Sequence, residues 1–265
     1  MEDRFNREIN YLRISVTDRC NLRCTYCMPE EGVPLRRHED FLSFETISEV
    51  VREGVGLGLT KVRLTGGEPL VKRGIAHLVA MIKSVGDVAH VGMTTNGTLL
   101  DALARDLKEA GLDSLNVSLD TLIPERYRKI TRVGDIGNVL RGIDTARKAG
   151  FPIKINMVIL EDTQPQEVER MREFCRRGGL AIQLINHFSL KEQKRDRYRF
   201  ERPPRCSSCN RIRLLADGNL KPCLHSDREM KLDLTDIRGS LIRAVQSKPE
   251  RGSVCLARPM VEIGG

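Results

Sequence analysis

The sequence predicts an α/β chain folded as a partial, open TIM-like β/α barrel with a C-terminal cysteine-bearing extension. Short β-rich runs alternate with longer helical patterns from residue 11 to residue 185, the mark of repeated βα units around a parallel sheet. Only six such units are present, too few to close an eight-stranded barrel, so the sheet stays open and its chemistry falls on the loops after the strand C-termini. The alternation stops at a dense run of basic residues from Lys191 to Arg213, interrupted by Pro203-Pro204. Residues 1–190 therefore read as the barrel and 191–265 as the extension.

Taken in order, the predicted strands are 11–16, 61–65, 89–94, 114–119, 153–159 and 181–185, each rich in β-branched or aliphatic residues. Helices fit 44–58, 74–84, 99–110, 135–149 and 165–177, several ending at a glycine such as Gly111, Gly150 or Gly178. Beyond them, 212–215 and 220–223 flank Asp217-Gly218-Asn219 and read as a hairpin.

At 265 residues, with 40% hydrophobic and 30% charged, the chain buries one substantial core plus an appendage. It has no long apolar window, and its N-terminus alternates charges, so neither a membrane span nor an ordinary signal peptide is predicted. A cytoplasmic location is expected. The net charge of +8 favours anionic partners.

Eight cysteines in such a chain belong to a reducing compartment, where clustered thiols bind metal or do redox chemistry. Cys20, Cys24 and Cys27 form C-x3-C-x2-C; Cys206, Cys209 and Cys223 form C-x2-C-x13-C. Three thiolates in the first spacing ligate three irons of a cubane and leave the fourth iron open to a ligand. Zinc would need a fourth donor such as His38, in a spacing unusual for it. For the second triad a Cys3His zinc ribbon using His225 competes with a metal site beside a phosphate clamp, because Arg211 and Arg213 share one face of a strand. Cys175 reads as a helix core residue, and Cys255 as a free thiol rather than a fourth cluster ligand.

The first triad, placed after the first strand, resembles that of the radical S-adenosylmethionine (SAM) enzymes, which hold a [4Fe-4S] cluster with SAM on its open iron. Gly66-Gly67-Glu68-Pro69 after the second strand is similar to the motif that receives the amino group of SAM there, the two glycines letting a ligand approach the backbone. Thr94 and Ser118, at further strand ends, would by the same resemblance contact SAM or substrate; otherwise their hydroxyls cap the next turn.

With C-x2-C-N-R-I-R and the final Gly264-Gly265, the resemblance narrows to the GTP 3′,8-cyclase family of molybdenum cofactor biosynthesis. It implies a second [4Fe-4S] cluster at Cys206, Cys209 and Cys223, and a catalytic Gly-Gly tail. It also implies a nucleotide site at Arg13, Lys61, Arg63, Lys154, Asn156, Arg211 and Arg213. A reductant such as a flavodoxin or ferredoxin is the implied partner. Two departures stand out: Gln183 and Asn186 occupy positions where the family carries an arginine and a glutamate, and the link from there to the second triad is short by several tens of residues. Other outcomes are a related radical enzyme acting on another nucleotide or a peptide, and a zinc-ribbon RNA-binding module. The latter is disfavoured by 4% aromatic residues with no Trp to stack on bases.

Overall fold

The computed structural model describes residues 1–34, 36–195, 198–200 and 203–264. Six parallel strands are β1 (Tyr11–Ser15), β2 (Lys61–Thr65), β3 (His90–Thr95), β4 (Ser114–Ser118), β5 (Ile153–Ile159) and β6 (Ala181–Asn186). Helices α1 (Phe44–Val55), α2 (Ile75–Lys83), α3 (Leu100–Glu109), α4 (Pro124–Thr131), α5 (Ile136–Lys148) and α6 (Pro165–Gly178) connect them. Each predicted strand and helix is present. The helix α4 was not predicted, because its eight mostly polar residues are too few to show a period.

Local chemistry sets the helix starts. The Ser43 hydroxyl accepts from Thr46 N–H at 3.1 Å at the head of α1, and Asp135 caps α5 through Gly137 N–H at 2.8 Å. Pro165 opens α6 behind a reciprocal capping box of Gln164 and Glu167.

The predicted hairpin forms as β7 (Arg211–Leu214) and β8 (Asn219–Lys221), followed by β9 (Met230–Lys231), α7 (Ile237–Gln246) and the short α8 (Met260–Ile263). Strand β7 lies parallel to β1, so the sheet runs β6-β5-β4-β3-β2-β1-β7-β8-β9. The second cysteine triad thereby sits on a direct continuation of the barrel sheet.

Strand alternation sorts the two faces. Leu12, Ile14, Val62, Leu64, Val91, Met93, Leu115, Val117, Ile212 and Leu214 are at most 1% exposed and belong to the main core, which also takes in the buried faces of the helices. The opposite parity carries polar residues. In register across β2, β1 and β7 stand Arg63, Arg13 and Arg213; further along, Thr94 pairs with Asn116, Asn116 with Lys154, and Ser118 with Asn156.

Candidate active site

The first triad occupies the loop after β1, and the Gly-Gly-Glu segment after β2 holds that loop in place. Gly67 N–H donates to Thr17 O and Glu68 N–H to Arg19 O, both at 2.8 Å. A Cβ on Gly66 would lie 2.3 Å from Thr17 O, and one on Gly67 would lie 2.4 Å from Arg19 O. The close approach that these glycines permit is thus that of the cysteine loop itself, one residue before Cys20. Gly66 also has φ +145°, where a side chain is strained.

A cavity of about 200 Å³ is lined by all three cysteines together with Gly66, Gly67, Glu68, Thr94 and Ser118. Burial, then the nearby Asp120 carboxylate and neighbouring thiols, raises the Cys24 pKa strongly; burial, then Cys20 and Asp120, pushes Cys27 up to about 12. Cys20 Sγ accepts from Leu22 N–H at 3.4 Å and Asn96 Nδ2 at 3.9 Å.

Glu68 is 1% exposed, and its carboxylate accepts from Thr95 Oγ1, Asn96 N–H and Leu70 N–H at 2.6 to 2.9 Å. Burial outweighs these bonds and pushes its pKa to about 7. Asp120 accepts from Tyr26 Oη at 2.7 Å and Val158 N–H at 2.8 Å, and burial pushes it to about 6.

Thr94, Asn156, Ile185 and Phe188 also line a second, adjoining cavity of about 340 Å³. Eight lysines and arginines and no carboxylate line it among the described residues. The arginine row supplies its floor: Arg13, Arg63 and Arg213 are 5 to 9% exposed. Arg63 donates to Tyr11 Oη and to Met93 O, the latter at 3.1 Å. Gly92 leaves the space that Arg63 fills, since a Cβ there would lie 2.7 Å from Nη2. Burial, then Arg213, Arg211 and other cations, lowers the Arg13 pKa. Arg211 stands 5.5 Å from the Tyr11 ring centre, and Lys154, Asn156 and Gln183 reach the cavity from β5 and β6. Lys61 does not join them; as the first residue of β2 it is exposed and opens into a separate depression beside Arg199 and Phe200.

At the far end of this cavity are Cys206, Cys209 and Cys223. Cys206 Sγ accepts from Gly252 N–H at 3.4 Å, and Cys209 Sγ from Lys248 Nζ at 3.8 Å. Although burial raises the Cys209 pKa, Lys248 and the neighbouring arginines bring it below the usual thiol value. Arg7, paired with Asp3 at 2.6 Å, donates to the carbonyls of Cys206, Pro249 and Glu250 and clamps the cysteine turn from the N-terminus. His225 is 2% exposed, and burial lowers its pKa to about 4.

Sulfur donors ringed by N–H groups fit iron–sulfur clusters, whose thiolate-bound cores are anionic. No three His, Cys, Asp or Glu side chains among the described residues gather around one ion position, whereas a cubane takes three thiolates on three separate irons. Cys175 and Cys255 are each 1% exposed, lie in apolar clusters and line neither cavity, although the cluster of Cys255 backs onto both through Phe188, Leu224 and Met260.

The chain's end reaches between the two sites. Glu262 is held by Arg36 at 2.8 Å and Arg258 at 3.0 Å, and Arg13 Nη2 donates to Gly264 O at 3.3 Å. Gly264 has φ +71°, and a Cβ there would lie 2.5 Å from Thr65 Cγ2. Gly265 lies outside the described residues.

Sequence reasoning missed Asn116, Gly92, Arg7 and Lys248. Strand parity with Ser118 and Thr94 would have flagged the first two; the others come from distant segments with no local signal.

The Radical SAM superfamily's sequence model matches residues 14–175. A GTP 3′,8-cyclase of Thermodesulfovibrio yellowstonii is 38% identical over 322 aligned residues, and one of Alkaliphilus oremlandii is 37% identical over 322, each alignment covering all of both chains. That aligned length exceeds the 265 residues present here, so these relatives carry segments this chain lacks. In fold, Streptococcus suis SuiB bound to S-adenosylmethionine superposes with TM-score 0.70 at 14% identity, over 91% of this chain and 64% of that one. AnSMEcpe with bound AdoMet and a peptide superposes with TM-score 0.62 at 15% identity, over 92% and 81%. With a superfamily match over more than half its length and full-length relatives well above 30% identity, this chain belongs to the GTP 3′,8-cyclase family of the radical SAM superfamily.

Proposed function

We propose that the chain converts GTP to 3′,8-cyclo-7,8-dihydro-GTP in molybdenum cofactor biosynthesis, using SAM and two [4Fe-4S] clusters. The observation that carries this reading is the pair of joined cavities, each with a cysteine triad, the larger lined by eight cationic side chains without a described carboxylate. Such a lining suits a triphosphate far better than a neutral ligand.

Cys20, Cys24 and Cys27 would hold a [4Fe-4S] cluster, which would supply the electron for reductive cleavage of SAM. The protein's part is to position and to exclude water. Gly66, Gly67 and Glu68 hold the cysteine loop and present peptide groups to the amino acid end of SAM, while Thr94 and Ser118 offer hydroxyls toward the adenosyl side. Arg13, Arg63, Arg211, Arg213 and Lys154 hold the phosphates, and Asn156, on the boundary of both cavities, orients the ribose toward the radical. The base then faces Cys206, Cys209 and Cys223, which hold the second cluster. Gly264 brings the tail beside Arg13, and the terminal Gly264-Gly265 pair acts in the ring-closing step. Lys61 contributes long-range charge. The electron donor is a small acidic reductant of the flavodoxin or ferredoxin type, and the compartment is the cytoplasm.

The test is equilibrium binding of GTP, GMP, ATP and UTP to the anaerobically reconstituted protein, followed by product analysis with SAM and dithionite. GTP should bind best and gain a new ring at unchanged nucleotide mass. Equal weak binding of all four with no altered nucleotide would reject the reading.

A further inference from the structure

Lys248 lies just beyond α7, behind the second triad, and is 2% exposed. No carboxylate among the described residues pairs with it. Its three ammonium donors instead meet three acceptors: Arg211 O at 2.7 Å, Pro222 O at 2.9 Å and Cys209 Sγ at 3.8 Å. Each acceptor belongs to a different part of the second site. Cys209 ends the cysteine turn, Arg211 begins β7, and Pro222 immediately precedes Cys223. One buried cation therefore joins the cysteine turn, the start of β7 and the segment that leads into Cys223.

The first triad has the opposite surroundings. Among the described residues Cys20 Sγ accepts from the neutral donors Leu22 N–H and Asn96 Nδ2; the Arg23 guanidinium acts on it more weakly than the Glu68 carboxylate, and Asp120 stands near Cys24 and Cys27. Reduction adds negative charge to a cluster. A cation donating to a ligating sulfur stabilises the reduced form, and neighbouring carboxylates oppose it.

We propose that Lys248 is a positioning residue that holds a positive charge against the second cluster and sets its reduction potential above that of the first. The inference rests on the two-cluster reading above. The first cluster then remains the stronger reductant, as its task requires, and the second is the easier to keep reduced.

The experiment is an anaerobic redox titration, read by electron paramagnetic resonance, of two full-length chains without SAM or GTP. One carries Cys20→Ala, Cys24→Ala and Cys27→Ala; the other carries Cys206→Ala, Cys209→Ala and Cys223→Ala. The first chain, holding only the second cluster, should reduce at the more positive potential; the reverse order overturns the proposal. Adding Lys248→Met to that chain should move its midpoint to more negative potential with about four irons per chain retained. Lys248→Arg should keep it near the parent value. An unmoved midpoint with iron retained also overturns the proposal. Should the methionine variant lose iron, Lys248→Gln, which keeps two N–H donors without the charge, is titrated in its place, and the order of the two parent chains decides independently. A chain with only the second triad that binds no iron refutes this inference and the second-cluster reading together, while leaving the SAM assignment standing.

Discussion

The two ends of the joined cavity are built by different means. Around Cys20, Cys24 and Cys27 the contacts are largely backbone to backbone: two consecutive loops touch through Gly66 and Gly67, and Glu68 is spent on Leu70, Thr95 and Asn96. The cavity that ends at Cys206, Cys209 and Cys223 is lined instead by long cationic side chains from β1, β2, β5, β7, the N-terminus and the region after α7, of which Arg7 and Lys248 reach the cysteine turn itself. A backbone-built end tolerates almost no added atom and is written in contiguous motifs. A side-chain-built end is assembled from dispersed residues, and losing one cation should weaken it by degrees.

Replacement of single cysteines gives the largest contrast. Cys24→Ala should abolish 5′-deoxyadenosine formation with dithionite, whereas Cys223→Ala should lose nucleotide product while some uncoupled SAM cleavage continues. Normal cleavage in Cys24→Ala would remove the distinction between the two ends.

Next in size is the glycine contact. Gly67→Ala places a Cβ 2.4 Å from Arg19 O and must displace the cysteine loop. Iron should fall by about half as the first cluster is lost, with a stability cost of about 1–3 kcal/mol from overpacking. Iron analysis and thermal unfolding check this; full iron content would show that the loop can yield.

Gly264→Ala tests the tail. Its Cβ would strike Thr65 and its positive φ would be strained, so the tail should leave the site. Turnover should drop while iron content and melting temperature hold, and an unchanged turnover would leave the tail without a role.

The cationic end should respond more gradually. Arg213→Ala removes one charge-assisted contact worth ~1.5–3 kcal/mol and should weaken GTP binding roughly tenfold or more. Lys61→Ala, in a separate exposed depression, should cost less than threefold, because an exposed charge is screened. Equal losses in the two variants would mean that Lys61 reaches the phosphates after all.

The smallest effect is a pH slope. Glu68 has its folded pKa raised by burial from 4.5 to about 7, so the folded state holds a proton that the unfolded state has released between those values. Its contribution to stability is therefore complete below pH 4.5 and is lost as pH rises through about 7. Thermal unfolding of the metal-free protein should show this decline between pH 5 and 8, and Glu68→Gln should flatten it. A Glu68→Gln profile parallel to the parent would assign the slope elsewhere.

Much of this was legible from local pattern. Six strands and five helices follow from periodicity and glycine stops, and parity already set Lys154 with Asn156 and Arg211 with Arg213 on shared strand faces, while Arg13 came from the family resemblance. Lys61 shows the limit of parity. It shares a face with Arg63 but sits at the strand's first position, one pleat farther from the C-terminal end where the cavities open.

By itself, the sequence determined the spacing of both triads, the order of the βα units and the inward parity of each strand, because these depend on neighbours within a few residues. Only the tertiary structure decided that β7 lies beside β1, which sets Arg213 in register with Arg13 across 200 residues of chain. It also turned Gly66 and Gly67 onto the cysteine loop and brought Lys248 to Cys209. Those juxtapositions depend on strand order and on closure of long loops, for which the core's packing compensates and local pattern carries no record.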